Sequence, residues 1–177
     1  MELAPKITFK NLKPQIANAI KESCYRTDVR LYNIANEVHK IATFSVEPGV
    51  EIAQGLSKII DQTVKESVAL DCDLSVIVKG ILLGAFRASP FMLQEAHKTF
   101  RILINEVVQS IFKYKGDVKQ VIEGVLAGVL IIAQEFKLNE NEALIIARED
   151  ILSSAKALNS KFADDIKEAL PSLDGPS

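Results

Sequence analysis

Two short stretches, Glu37-Val38-His39 and Glu95-Ala96-His97, bring a carboxylate and an imidazole close together along the chain. A di-iron centre in a helical bundle needs Glu-x-x-His pairs on facing helices. Here the spacing is i, i+2, which sends the two groups to different sides of a helix. Both histidines, each set among charged residues, are therefore expected at the surface. Two acidic groups, Glu140/Glu142 and Asp164/Asp165/Glu168, have the donor chemistry of metal ligands. Both are expected in first helical turns, where carboxylates complement the helix dipole, and that account is preferred. Cys24 and Cys72 are the two cysteines; they form neither a disulfide framework nor a zinc-site spacing. The Arg26/Arg30 and Tyr25/Tyr32 group is a weak basic-aromatic patch. The His-Glu-x-x-His, Walker-type phosphate-loop and Gly-x-Ser-x-Gly patterns are absent. No catalytic, cofactor-binding or metal-ligating residue is assigned, and the chain reads as more of a binding protein than an enzyme.

The most distinctive residues are glycines. Residues 117–136, DVKQVIEGVLAGVLIIAQEF, carry Gly124 and Gly128, with Glu123 the one charge from Val121 to Ala133. Residues 73–87, DLSVIVKGILLGAFR, carry Gly80 and Gly84 at an offset of 44 (124 − 80 and 128 − 84). A glycine inside a helix costs roughly 1 kcal/mol against alanine. Four of them need compensation, and the physical candidate is close approach of backbones. Residues at i and i+4 share one face, and small side chains there let helices come near. Internal packing between the two glycine helices is the expectation; a ligand or partner groove lined by the same four residues is the alternative. Lys79 and Glu123 hold matching positions, one residue before the first glycine of each pair. They are candidates for a buried pair beside the glycine contact, or for two side chains reaching water separately.

The 44-residue offset reaches beyond the glycines. Asp73 matches Asp117, Leu82 matches Leu126, Ile102 matches Ile146 and Ser110 matches Ser154. One unit earlier, Ser45 matches Ser89, Glu51 matches Glu95 and Val64 matches Val108, while Lys21-Glu22-Ser23 matches Lys65-Glu66-Ser67. The predicted unit is a pair of helices repeated about three times, with half a unit in front. In length and pairing it resembles helical repeats of the HEAT type, without their signature residues, and that resemblance implies stacked helix pairs. Two nearly all-apolar helices favour a compact bundle over an open solenoid, because a helix that is apolar all round is buried or in a membrane. The run in 121–133 is shorter than the roughly 20 residues of a span, so a membrane hairpin is disfavoured.

Helix signals fill the rest of the chain. Helices are expected over 15–26, from a cap at Thr27 or Asp28 to about 43, and from Ser45 to 69 or 70. Asp71 or Asp73 caps the first glycine helix, which ends near 88. Ser89-Pro90 restarts a helix to 112 or 113, and Asp117 caps the central one. Asn139 with Glu142 opens a helix through 158, and a short last helix covers 161–170. No strand is expected. The fold class is all-α, a compact bundle of about seven or eight helices in a single domain over 1–170, followed by a mobile tail over 171–177.

Composition narrows the function further. Net charge is −2 and tryptophan is absent, so neither bulk attraction to nucleic acid nor base-stacking platforms are expected. Residues 1–12 lack the apolar core of a signal peptide, and a reducing cytoplasm is the expected setting. The leading expectation is a non-enzymatic interaction or scaffold protein without a cofactor, bound to a protein partner or to itself. The rivals are a binder of an apolar ligand or lipid, and an enzyme whose site residues do not form a recognisable pattern.

Overall fold

The computed structural model describes residues 17–18, 35–36, 38–39, 52–88 and 95–170. These residues are helical apart from short connections, and no strand occurs among them. Six helices follow one another: α1 Ile52–Ala69, α2 Leu74–Ala88, α3 Ala96–Tyr114, α4 Val118–Phe136, α5 Glu140–Leu158 and α6 Ser160–Ala169. The expected helices before residue 45, the Ser45 and Ser89-Pro90 starts and the tail over 171–177 lie outside the described residues.

Short polar side chains start four of the helices. The Asp73 carboxylate accepts from the Ser75 amide at 2.9 Å, and Asp117 accepts from the Gln120 amide at 2.9 Å. Asn139 accepts from Glu142 N–H and Asn159 from Phe162 N–H, each at 3.1 Å. Each such bond satisfies one of the four amides that a helix leaves unpaired at its start. The ends are equally local. Asp71, Lys115 and Lys137 adopt left-handed backbone, with φ of 52°, 56° and 56°, which turns the chain out of α1, α3 and α4.

The helices alternate between two layers. α1, α3 and α5 lie side by side in one layer, α2, α4 and α6 in the other, and each helix also packs on the next in sequence. Neighbours within a layer run parallel, because their contacts advance together. Ser57 reaches Glu106 and Asp61 reaches Lys113 between α1 and α3. Gln120 accepts from the Leu74 amide at one end of the α2–α4 pair, and Arg87 meets Glu135 at the other. The core between the layers is aliphatic with a small aromatic knot. Phe86 on α2 stacks on Phe100 of α3 at 5.1 Å and tilts against Phe136 of α4 at 5.2 Å. Phe86, Phe100, Ile81, Leu82, Leu83 and Ile104 are wholly buried.

α2 and α4 are the two apolar glycine helices, and both are central: α2 is buried along most of its length and α4 lies between α2 and α6. No helix among the described residues is long and apolar enough to cross a membrane.

Candidate functional site

The four glycines are buried, and each of the three whose surroundings are defined closely approaches a neighbouring helix. A Cβ on Gly124 would lie 2.8 Å from the Ser75 carbonyl oxygen and 2.9 Å from the Val78 Cβ. On Gly128 it would meet the Leu82 Cδ1 at 3.1 Å and the Lys79 Cα at 3.3 Å. The α4 ridge therefore rests on α2 with almost nothing between the main chains. Gly84 faces elsewhere: its Cβ would overlap the Ala35 carbonyl oxygen and sit 2.9 Å from the Val38 Cβ.

So the two ridges are not a mutual pair. α2 turns Gly84 toward the helical residues around Ala35 and receives α4 on Ser75, Val78, Lys79 and Leu82. At 100° per residue, Gly80 and Gly84 lie nearly opposite Ser75 and Lys79 on the helical wheel. The helix is packed on both sides, which is why it is apolar nearly all round. The close contact brings Lys79 to the seam through its main chain. Its side chain is half-buried, Glu123 is exposed, and no hydrogen bond or ion pair joins them.

The polar groups that the fold brings together are cross-helix pairs absent from the sequence-derived candidates. Ser57 donates to the Glu106 carboxylate at 2.6 Å. The Arg101 Nε donates to Asp150 Oδ1 at 3.0 Å. Asp150 is 5% exposed, and its Oδ2 is buried without a hydrogen-bond partner among the described residues. Arg87 grips Glu135 with two parallel bonds of 2.8 and 2.7 Å, the fork geometry that makes such pairs specific. On α1 and α3, Asp61 accepts from Lys113 and from the Tyr114 hydroxyl, at 3.0 and 2.8 Å. Tyr114 first, and then the Asp61 carboxylate, hold the exposed Lys113 ammonium above its ordinary pKa of 10.5. Each of these groups spans a seam between parallel helices.

His97 is exposed and lies 3.6 Å from Glu142 of α5; His39 is half-buried. Glu140 and Glu142 stand in the first turn of α5, as expected. Asp164, Asp165 and Glu168 do not stand in a first turn. Ser160 enters the helix because Asn159 is the cap, so Asp164 falls in the second turn; Asp165 and Glu168, in the second and third turns, lie too far along for a first turn even from a start at 161. No cluster of three or more His, Cys, Asp or Glu side chains suited to a metal ion occurs among the described residues. Cys72 is buried, with its Sγ 4.0 Å from the Leu70 carbonyl oxygen.

One apolar crevice lies where α6 crosses the other helices. Val108 and Ile111 of α3, Val118, Val121, Ile122 and Val125 of α4, Ile151 of α5, and Phe162 and Ile166 of α6 line it. Its cavity volume is about 10 Å³, near the smallest that holds a single water. Phe162 also packs against Phe112 with ring centres 5.0 Å apart. No protein-family model matches the sequence, and no similar curated protein was found.

Proposed function

We propose that the protein is a non-enzymatic helical interaction module, a scaffold that binds a protein partner or a second copy of itself. The molecule is read as tandem two-helix units of 44 residues. Helix starts at Ile52, Ala96 and Glu140 support the period (96 − 52 and 140 − 96), as do Leu74 and Val118. The left-handed residues Asp71 and Lys115 keep the same interval. Two tertiary contacts also recur at that step: Ala35 with Gly84 and Lys79 with Gly128, then Ser57 with Glu106 and Arg101 with Asp150. Apolar stripes alone would repeat by chance, since 44 is near a whole number of turns; recurring contact partners are not explained that way. Helical residues at 17–18, 35–36 and 38–39 support a total of eight helices.

The observation that carries the functional reading is how polar and apolar groups are distributed. The groups with chemical potential sit at seams, where they tie one helix to the next. Bulky apolar residues remain outside: Leu70, Ile102 and Phe112 are each 41% exposed and Ile145 is 49% exposed. Buried aromatic and aliphatic anchors carry most of the energy of protein interfaces, and these four are available as such. The crevice beneath α6, at about 10 Å³, falls far below the roughly 300 Å³ of ordinary ligand pockets, so that crevice itself would not hold a lipid.

Native mass spectrometry of the purified full chain tests this. The expected spectrum holds a multiple of the 19.5 kDa chain mass, or the chain with a protein partner, and no co-purified small molecule. A single chain carrying a lipid would reject the scaffold reading in favour of an apolar-ligand binder.

A further inference from the structure

We propose that α6 is an exchangeable latch, and that the groove formed by α3, α4 and α5 docks the α6 of a second copy of this chain. This deepens the self-associating reading above and rests on it. α6 is ten residues long and buries only Phe162, Ala163 and Ile166. Phe162 and Ile166 are an i, i+4 pair, the spacing with which an amphipathic helix seats in an apolar groove. The groove beneath is apolar throughout, and a small cavity remains under the helix. Lys161, Asp164, Asp165, Lys167 and Glu168 are exposed and make no side-chain hydrogen bond or ion pair with the described residues. Against the described residues, α6 is therefore held by shape and apolar contact.

The connection to α5 is a single residue. Asn159 ends α5, with its amide donating to the Ala155 carbonyl at 3.0 Å, and caps α6 through its side chain. Its φ and ψ are −164° and 137°, extended values between two helices. If Asn159 turned helical, α5 and α6 would become one rod from Glu140 to Ala169, about 45 Å long at 1.5 Å per residue. The distal part of that rod would leave its own groove and fill the same groove on a neighbour, which would reciprocate. The exchanged pair keeps every α6 contact of the monomer, and the two states differ only at the hinge and in the entropy of association. Short connections of this kind favour exchange.

Two hinge variants of the full chain, studied by sedimentation velocity across protein concentration, test this. Asn159→Ala removes the cap that stabilises the reversal and adds a strong helix former, so the dimerisation constant should rise about tenfold. Inserting Gly-Ser-Gly after Asn159 lets α6 fold back without constraint and interrupts the rod, so the constant should fall by about the same factor. Circular dichroism of both variants confirms that they fold. A dimerisation constant indifferent to both changes would overturn exchange while leaving self-association standing. A chain that is monomeric in all three forms at every concentration would overturn both.

Discussion

Replacing Gly124 with alanine sets two opposed effects of known size against each other. In an unencumbered helix the change stabilises by about 1 kcal/mol, because alanine loses less backbone entropy on folding. Here the added Cβ falls 2.8 Å from the Ser75 carbonyl oxygen and 3.1 Å from the Ser75 Cα. Both are main-chain atoms of α2 and cannot rotate away, so α2 and α4 must separate by a few tenths of an ångström. Overpacking of this kind costs about 1–3 kcal/mol. The net expectation is a destabilisation of about 1 kcal/mol, or about 2–4 °C in Tm for a chain of this size. Gly55 in α1 is the internal control, since a Cβ there meets nothing within 4 Å. Gly55→Ala should therefore raise Tm by about 2–3 °C. Gly128→Ala lies between them. Its nearest contact, at 3.1 Å, is the end of the Leu82 side chain, so the change should be near neutral. Thermal and urea unfolding of the three single variants supplies the order Gly55→Ala above Gly128→Ala above Gly124→Ala. A Gly124→Ala protein stabilised as much as Gly55→Ala would refute the close-contact explanation of the glycines.

Other expectations follow from the seams. Arg101→Met strands the Asp150 carboxylate and should cost about 1–3 kcal/mol in urea unfolding, less than a fully buried pair because Arg101 is largely exposed. Adding Asp150→Leu should restore most of that loss, since an apolar replacement of both partners removes the unpaired charge. Phe86→Ala should cost about 3–5 kcal/mol, because the ring contacts both Phe100 and Phe136. Lys113 has a raised pKa when folded, so its interaction favours the native state fully below pH 10.5 and is lost as pH rises through the higher folded value. Lys113→Gln should accordingly flatten the alkaline arm of the stability-versus-pH curve measured by chemical denaturation; an unchanged arm would argue against the Asp61–Lys113–Tyr114 contact.

Much of the local structure was legible in the residues. Asp73, Asp117, Asn139 and Asn159 announce helix starts because a short polar side chain precedes an apolar run. Gly84, Gly124 and Gly128 each stand where a neighbouring helix comes close. Spacing defines a face, however, and not the neighbour that covers it. Gly84 meets Ala35 and Val38, while Gly124 and Gly128 meet the other side of α2, an arrangement that follows only once α2 is known to be packed on two sides. The seam pairs were hidden for a related reason: Arg101 and Asp150 are 49 residues apart, with no local signal linking them. One clue was present, since Asp150 shares a helix stripe with the buried Ala147, Ile151 and Ser154, where a charge needs a partner. The crevice under α6 was equally unannounced, being assembled from four helices.

The proposed role, holding another protein chain, is tested most directly by the native mass of the 177-residue chain measured at increasing concentration. The expected species lie at two or more times 19.5 kDa, or form a stable complex with a different protein, free of small-molecule adducts. A lone 19.5 kDa species at every concentration, with no protein partner retained through purification, would contradict it.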